Sequence, residues 1–430
     1  MNNICKIAII GLGQVGNYLY RELNLKIKDI EIKTGKKIKI VALSAKNKNK
    51  IRKFKINKNI FYTDPLMIIK KVKPDILFEV IGHSDGISKK IIETALKNKI
   101  HVITPNKALI SKHGDYLGKL AEENHVNLEF EASVAGGIPI IRTIKDGLAT
   151  NKISKVYGIL NGTTNYILSE MRNSRDSFIN VLKKAQILGY AEPGNSKFDL
   201  NGADAFAKVR ILSALAFNTK ISKCKCLMEG IEKIELKDIE IANQLNLRIK
   251  LLGISEIING QLFETVHPCL VSKNSYIGNV TGVMNAVIME GKPVGESILQ
   301  GEGAGPGPTS SSLLSDLSSI LRGNIKKPFG IPGSKRRSIK CYNVNNYSNS
   351  LYLRFEVKDK PGVLSRITNR LAKYKISVKR LIQTPDKKVK KATVVIITHK
   401  TNELNINSCL SKFKKDKDIF KYPTLIRIHS

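Results

Sequence analysis

The residues best suited to chemistry lie between Gly189 and Lys208: Gly189-Tyr190-Ala191-Glu192, then Asp199, Asp204 and Lys208. Asp204 and Lys208 are four apart, so on a helix they share a face. One reading is a surface ion pair. The flanking residues Ala203, Ala205, Phe206, Ala207 and Val209 are largely apolar, however, so little of this helix is expected to meet water. A lysine in such a segment needs partners, or its pKa falls. Three carboxylates, Glu192, Asp199 and Asp204, can hold a substrate ammonium while Lys208 moves a proton. A second lysine, in Thr104-Pro105-Asn106-Lys107, follows a strand end. Open α/β sheets bind ligands at that point. In a chain so rich in lysine, position alone leaves a structural and a functional reading of Lys107 open.

Gly11-Leu12-Gly13-Gln14-Val15-Gly16 stands between an apolar strand (4–10) and a helix to about Leu23. That context reads as a dinucleotide fingerprint. Gly11 permits the tight turn, Gly13 lets the backbone approach a pyrophosphate at the helix N-terminus, and Gly16 allows close packing. An acid at the end of the second strand would bind a ribose 2′-hydroxyl. This chain has Ser44-Ala45-Lys46-Asn47-Lys48 instead, which favours NADP over NAD and puts Lys46 near a 2′-phosphate. A basic insertion (26–37) lengthens the spacing. Two further glycine turns, 131–139 and 161–165, follow strand ends and can present backbone groups to a ligand.

The elements that must position these groups alternate at first. Strands are expected at 38–43, 76–81, 100–103 and 127–130, with helices at 65–72, 86–98 and 107–123. This is an α/β Rossmann-type, doubly wound parallel sheet over residues 1–135. Residues 136–309 read as an α+β catalytic and oligomerisation domain. Its helices are expected at 137–147, 163–172, 176–188 and 202–217, and its strands at 153–160, 227–234 and 262–271. A helix in 310–323 returns to the first domain. Residues 324–349 have linker composition. Residues 350–430 follow a βαββαβ, ferredoxin-like order.

Composition sets the outer limits. The 430 residues are 42% hydrophobic, enough for buried cores, and no apolar run reaches the roughly 18 residues of a membrane span. The 72 Lys+Arg against 36 Asp+Glu leave a net +36, which raises a nucleic-acid reading. The lysines are dispersed, there is no Trp, and only 6% of residues are aromatic, so that reading is set aside. The six cysteines show no paired framework or zinc spacing and are read as reduced thiols in a cytoplasmic protein. No signal peptide is expected ahead of the fingerprint.

Over essentially its whole length the chain resembles the monofunctional homoserine dehydrogenases. The segments that carry this are GLGQVG (11–16), ITPNKALI (103–110), EASVAGGIPII (131–141), GILNGTTNYIL (158–168) and LGYAEP (188–193). DLNGADAFAKVRILSALAF (199–217), VHPCLV (266–271) and GEGAGPGPTSSSLLSDL (301–317) continue it. The C-terminal unit, with Asp359-Lys360-Pro361-Gly362-Val363-Leu364, resembles an ACT domain. The resemblance implies NAD(P)H-dependent interconversion of L-aspartate 4-semialdehyde and L-homoserine; with the fingerprint starting at residue 11, no kinase domain is expected ahead of it. It implies Lys208 as the proton-transfer lysine and Lys107 as a contact to cofactor and substrate. Glu192 and Asp204 match carboxylates that bind the substrate amino group, and Asp199 a further site acid. Thr163 and Tyr190 match the substrate pocket, and Gly189 and Gly303 the cofactor's surroundings. Glu131, Val134, Gly136 and Ile138 match a structural sodium site built from backbone carbonyls. Threonine as effector and a homodimer or homotetramer are also implied. One departure stands out: Asp199 lies seven residues after Glu192, one more than is usual in the family. Another semialdehyde or amino-acid dehydrogenase, and a sensor without activity, are the alternatives. Lys107, Glu192, Asp204 and Lys208 together argue against the sensor.

Overall fold

The computed structural model describes residues 4–47, 56–191, 193, 194, 196–386 and 390–429. The first unit comprises β1 (Cys5–Ile10), α1 (Gln14–Thr34), β2 (Ile38–Ser44), β3 (Phe61–Tyr62), α2 (Pro65–Met67), β4 (Ile76–Glu79), α3 (Ile87–Lys97), β5 (His101–Ile103), α4 (Lys107–Glu123) and β6 (Leu128–Glu129). The strands form a parallel sheet in the order β3-β2-β1-β4-β5-β6, the doubly wound arrangement read from the sequence. Its central strands are buried on both faces, as continuous apolar runs require. The first helix runs eleven residues past the expected end at Leu23. Leu19, Leu23, Ile27 and Ile30 keep a helical spacing against the core, and Gly35 ends the helix in a left-handed conformation. Most of the expected basic insertion is therefore the second half of α1.

The middle unit comprises α5 (Ile140–Arg142), β7 (Lys152–Ile159), α6 (Gly162–Ser174), α7 (Phe178–Ile187), α8 (Lys197–Leu200), α9 (Ala203–Ala216), β8 (Leu227–Met228) and α10 (Leu236–Gln244). It continues with β9 (Leu247–Ile258), β10 (Gln261–Ser272), α11 (Tyr276–Asn279), β11 (Met284–Lys292), β12 (Gly295–Glu302) and α12 (Pro306–Leu321). Several expectations needed correction. Only 140–142 of the helix expected at 137–147 is α-helical, and Thr143–Gly147 widens into a π-turn. The strand expected at 227–234 is two residues long. Strands β9, β11 and β12 and helix α10 were not foreseen. The strands pair antiparallel through β12-β11-β7-β9-β10, and α12 packs on α1 and shares its core.

The C-terminal unit has β13 (Ser348–Lys358), α13 (Val363–Lys373), β14 (Val378–Asp386), β15 (Lys391–Thr398), β16 (Thr401–Asn402), α14 (Glu403–Ser411) and β17 (Thr424–Ile428). Its order β17-β13-β15-β14 is that of a ferredoxin-like sheet. The sheet does not stand apart. Strand β17 pairs with β10, Cys269 opposite Arg427, so one sheet of eleven strands spans both units. Two arginines at the seam are almost wholly buried. Arg354 meets Asp238, Glu235 and Glu356, and Arg427 meets Glu403 and Glu229. Each guanidinium is thus neutralised and hydrogen-bonded through all three of its nitrogens, as its burial requires.

Residues 324–349 pack despite their linker composition. Phe329 is buried against Phe130, and Arg336 is held by Thr219 and Asp115. The reading of all six cysteines as thiols is corrected for one pair. Cys224 and Cys341, 117 residues apart in sequence, are disulfide-bonded, with Cα atoms 5.6 Å apart. Only the folding of this strap onto β10 brings them together. Cys5, Cys226, Cys269 and Cys409 are free. Among the described residues no helix is long and apolar enough to cross a membrane.

Candidate active site

Helix α9 is buried nearly all round, and it carries Asp204 and Lys208 into the interior, 3% and 6% exposed. The surface ion pair is therefore excluded. Lys208 Nζ donates to the Leu160 carbonyl at 2.6 Å and to Asp204 at 2.7 Å. The other oxygen of Asp204 meets Lys107 Nζ at 2.8 Å. One carboxylate thus bridges two ammonium groups from different units. Asn161, the N-cap of α6, completes the set: its amide donates to Asp204 at 2.9 Å and to Asp199 at 2.8 Å.

The electrostatics follow from this geometry. Burial favours the neutral acid of Asp204, yet the charges of Lys208 and Lys107 hold its carboxyl well below the usual range. Burial pushes the Lys208 ammonium down; Asp204 opposes this, Lys107 adds to it, and the result lies below the ordinary lysine value. Burial also acts against the charge on Lys107, but Asp204 outweighs it and its pKa rises. Burial, with the negative charge of Asp204, raises Asp199. The two lysines are thereby separated: the surroundings favour the charge on Lys107 and disfavour that on Lys208.

The same groups line a cleft of about 400 Å³ between the two units, together with Val15, Pro105, Thr163, Gly189, Tyr190 and Gly303. Thr163 Oγ1 donates to the Tyr190 carbonyl at 2.5 Å, which ties the loop after α7 to α6. Glu192 lies outside the described residues. The glycine fingerprint borders the cleft through Val15. A side chain on Gly16 would strike the Gly11 carbonyl at 1.8 Å, whereas one on Gly13 would meet nothing within 4 Å. Packing therefore demands glycine at 16, and open space is left at 13 for a phosphate to approach. The N–H groups of Gln14, Val15 and Gly16 open α1 with no acidic residue in the first turn, so the residues fit a dinucleotide. Gly11 N–H donates to Ser44 O at 2.8 Å, which sets the end of β2 beside the fingerprint. Lys46, exposed, follows two residues later.

The 131–138 turn is buried. The Glu131 carboxylate is committed to the N–H groups of Ile141 and Arg142, both at 2.8 Å. Its carbonyl accepts from Val134 N–H at 3.4 Å, that of Gly136 from Ser312 at 2.7 Å and that of Ile138 from Ile140 N–H at 2.8 Å. Each of these three carbonyls keeps a second lone pair, the donor type that a hard cation takes.

Sequence reasoning assigned no role to Asn161, nor to the residues that aim Lys107. Glu79, at the end of β4, accepts from Thr104 Oγ1 at 2.7 Å and from the N–H of Ile81 at 3.0 Å. Asn106 caps α4 through Leu109 N–H and donates to His83 O at 2.7 Å. An Asn one residue before a helix start was the visible signal at both 106 and 161. Truncation of Asn161 to Ala is expected to cost about 1–3 kcal/mol of stability, because the buried carboxylate of Asp204 and the half-buried one of Asp199 both lose a donor. It should also lower kcat/KM by about tenfold or more. Thermal melts and steady-state kinetics check both.

Comparison with known proteins gives the family. A family model described as homoserine dehydrogenase matches residues 139–318, and one described as homoserine dehydrogenase, NAD binding domain, matches 11–131. An ACT domain model matches 351–418. The homoserine dehydrogenase of Neisseria gonorrhoeae is 36% identical over 99% of this chain and 98% of its own. That of Helicobacter pylori is 35% identical over 100% of both. The crystal structure of a homoserine dehydrogenase from Thiobacillus denitrificans has a TM-score of 0.91 at 32% identity, covering 100% of this chain and 99% of that one.

Proposed function

Because the chain belongs to the homoserine dehydrogenase family, we propose that Lys208, Lys107 and Asp204 divide its reaction among them. The enzyme is an NAD(P)-dependent oxidoreductase acting on a CH–OH group; it interconverts L-homoserine and L-aspartate 4-semialdehyde. The observation that carries the assignment of roles is the buried carboxylate of Asp204, shared between two lysines with opposite pKa shifts.

When bound, the nicotinamide supplies or accepts the hydride. In reduction, Lys208 gives a proton to the forming alkoxide, and its charge stabilises that oxygen beforehand. In oxidation, neutral Lys208 takes the hydroxyl proton. Lys107, at the cleft mouth, stays charged and orients substrate and cofactor. Asp204, Asp199 and Glu192 are the carboxylates offered to the substrate ammonium, with Asn161 holding the first two in place. Thr163 and Tyr190 line the substrate end, and Gly189 and Gly303 the cofactor end. Steady-state rates with homoserine and with other amino-alcohols test the substrate: activity confined to another amino-alcohol would refute it.

The cofactor is assigned as NADP rather than NAD on the basic, acid-free end of β2. Lys46→Ala is expected to lower the NADP:NAD ratio of kcat/KM by about tenfold or more, the weight of one charge-assisted contact. An unchanged ratio would remove Lys46 from the site. A structural sodium ion is assigned to the carbonyls of Glu131, Val134, Gly136 and Ile138. The ACT domain is assigned an amino-acid effector, threonine, beside the Asp359–Leu364 turn. Calorimetry on the full-length protein should give saturable heat with threonine, and activity should fall in parallel; no heat would refute it. A homodimer or homotetramer in the cytoplasm completes the reading.

A further inference from the structure

Away from the cleft, α6, α10 and the start of β9 converge on a small, partly open recess lined by Ser169, Arg172, Ile239, Arg248 and Lys250. The recess has three cations in its wall. The charges that act on Lys250 are those of Arg172 and Arg248, both positive, and among the described residues no carboxylate balances them. Lys250 is 1% exposed. Its ammonium donates to Asn165 Oδ1 at 3.0 Å and to the Val280 carbonyl, which leaves its third proton unassigned. Asn165 is itself tied to the carbonyls of Val280, Gly282 and Met284, so Lys250 is anchored where it stands. Arg172 uses Nε on Asn173 at 3.3 Å and Arg248 uses one nitrogen on Asn243 at 2.5 Å. Ser169, buried beside them, has a hydroxyl with no hydrogen-bond partner.

The polar side chains that line this recess, Ser169, Arg172, Arg248 and Lys250, can all donate, and a negatively charged acceptor is the partner they share a need for. A water would satisfy Ser169 but would not offset the charges of the half-buried Arg172 and Arg248, which, added to burial, push the Lys250 ammonium down to about 7. The space amounts to about 10 Å³, the size of a single water-sized particle. That excludes phosphate and sulfate and leaves a monatomic ion.

We propose that this recess is a binding site for a small monovalent anion of the halide class, held by Ser169, Arg172, Arg248 and Lys250, which clamps α6 to β9. It lies apart from the reacting groups and acts on stability. The test uses the full-length protein. Thermal melts are run in chloride and in gluconate at constant sodium and ionic strength, and crystals are soaked in bromide for anomalous scattering. Chloride should raise the melting temperature saturably, by about 2 °C for a ligand at roughly ten times its dissociation constant. A bromide peak should stand among the four side chains. Ser169→Ala, which removes a single hydroxyl, and Arg172→Gln should each weaken both signals; if one variant does not fold, the other decides. Equal melting of the wild type in the two salts overturns the proposal. So does a bromide-soaked crystal with no peak in the recess, or one in which a carboxylate of a second copy fills it.

Discussion

In Lys208→Ala, kcat for homoserine oxidation should fall by about 10²–10⁴, the usual weight of a positioned acid–base group. The side chain reaches only the Leu160 carbonyl and Asp204, so its removal leaves Lys107, the fingerprint and the Thr163–Tyr190 contact in place. Cofactor binding and far-UV circular dichroism should therefore stay close to wild type. The pH profile separates a proton-transfer role from a structural one. Burial lowers the pKa of Lys208, so its neutral form is available below the ordinary lysine value of about 10.4. Oxidation needs that neutral form and should rise with pH through the lowered pKa; reduction needs the ammonium and should fall over the same range. The variant should lose this limb. Lys107→Ala should move it upward, because one of the charges that depress Lys208 is removed and Asp204 is left to Lys208 alone. Wild-type kcat in Lys208→Ala, or an unshifted limb in Lys107→Ala, would contradict the assignment.

The second large effect is expected for Asp204→Asn, a change of charge at constant shape. It leaves Lys208 buried without a counter-ion, and breaking a buried pair in this way costs about 3–5 kcal/mol. The lower end applies here, since Lys107 is partly exposed and can turn to water. Lys208 cannot, and with the one nearby charge that most favours its ammonium gone, its pKa should fall further. The sign of the pH dependence follows. The pKa of Asp204 is depressed in the folded protein, so its contribution is complete above the unfolded carboxylate value of about 3.9 and is lost as the pH falls below it. Wild type and variant should therefore differ in melting temperature at neutral pH and converge on acidification. A gap that persists at low pH, or none at pH 7, would mean that Asp204 is not the shared counter-ion.

What the sequence determined by itself was local and periodic. The fingerprint at 11–16 could be read because glycine chemistry, a preceding strand and a following helix are all neighbours in the chain. The βαββαβ order was legible for the same reason, and the i,i+4 spacing of Asp204 and Lys208 needed only one helix turn. The family was also evident in the motifs between Gly11 and Leu317. Continuity along the chain was the common condition.

The tertiary structure decided whatever depends on residues distant in sequence. That Asp204 has two lysines, one from α4 across the cleft, is a matter of how two units meet. Asn161 acquires its role because the end of β7 comes to lie against α8 and α9, 38 and 43 residues away. The strap at 324–349 has the composition of a loose linker, yet Phe329 and Arg336 find a surface to bury against, and Cys341 finds Cys224. Strands β9, β11 and β12 escaped notice because a strand is stabilised by partners that its own residues do not reveal. The opposite pKa shifts of Lys107 and Lys208 have the same origin. Desolvation and charge proximity act through space, and two lysines of identical chemistry are told apart only by the burial and the charged neighbours that folding assigns to each.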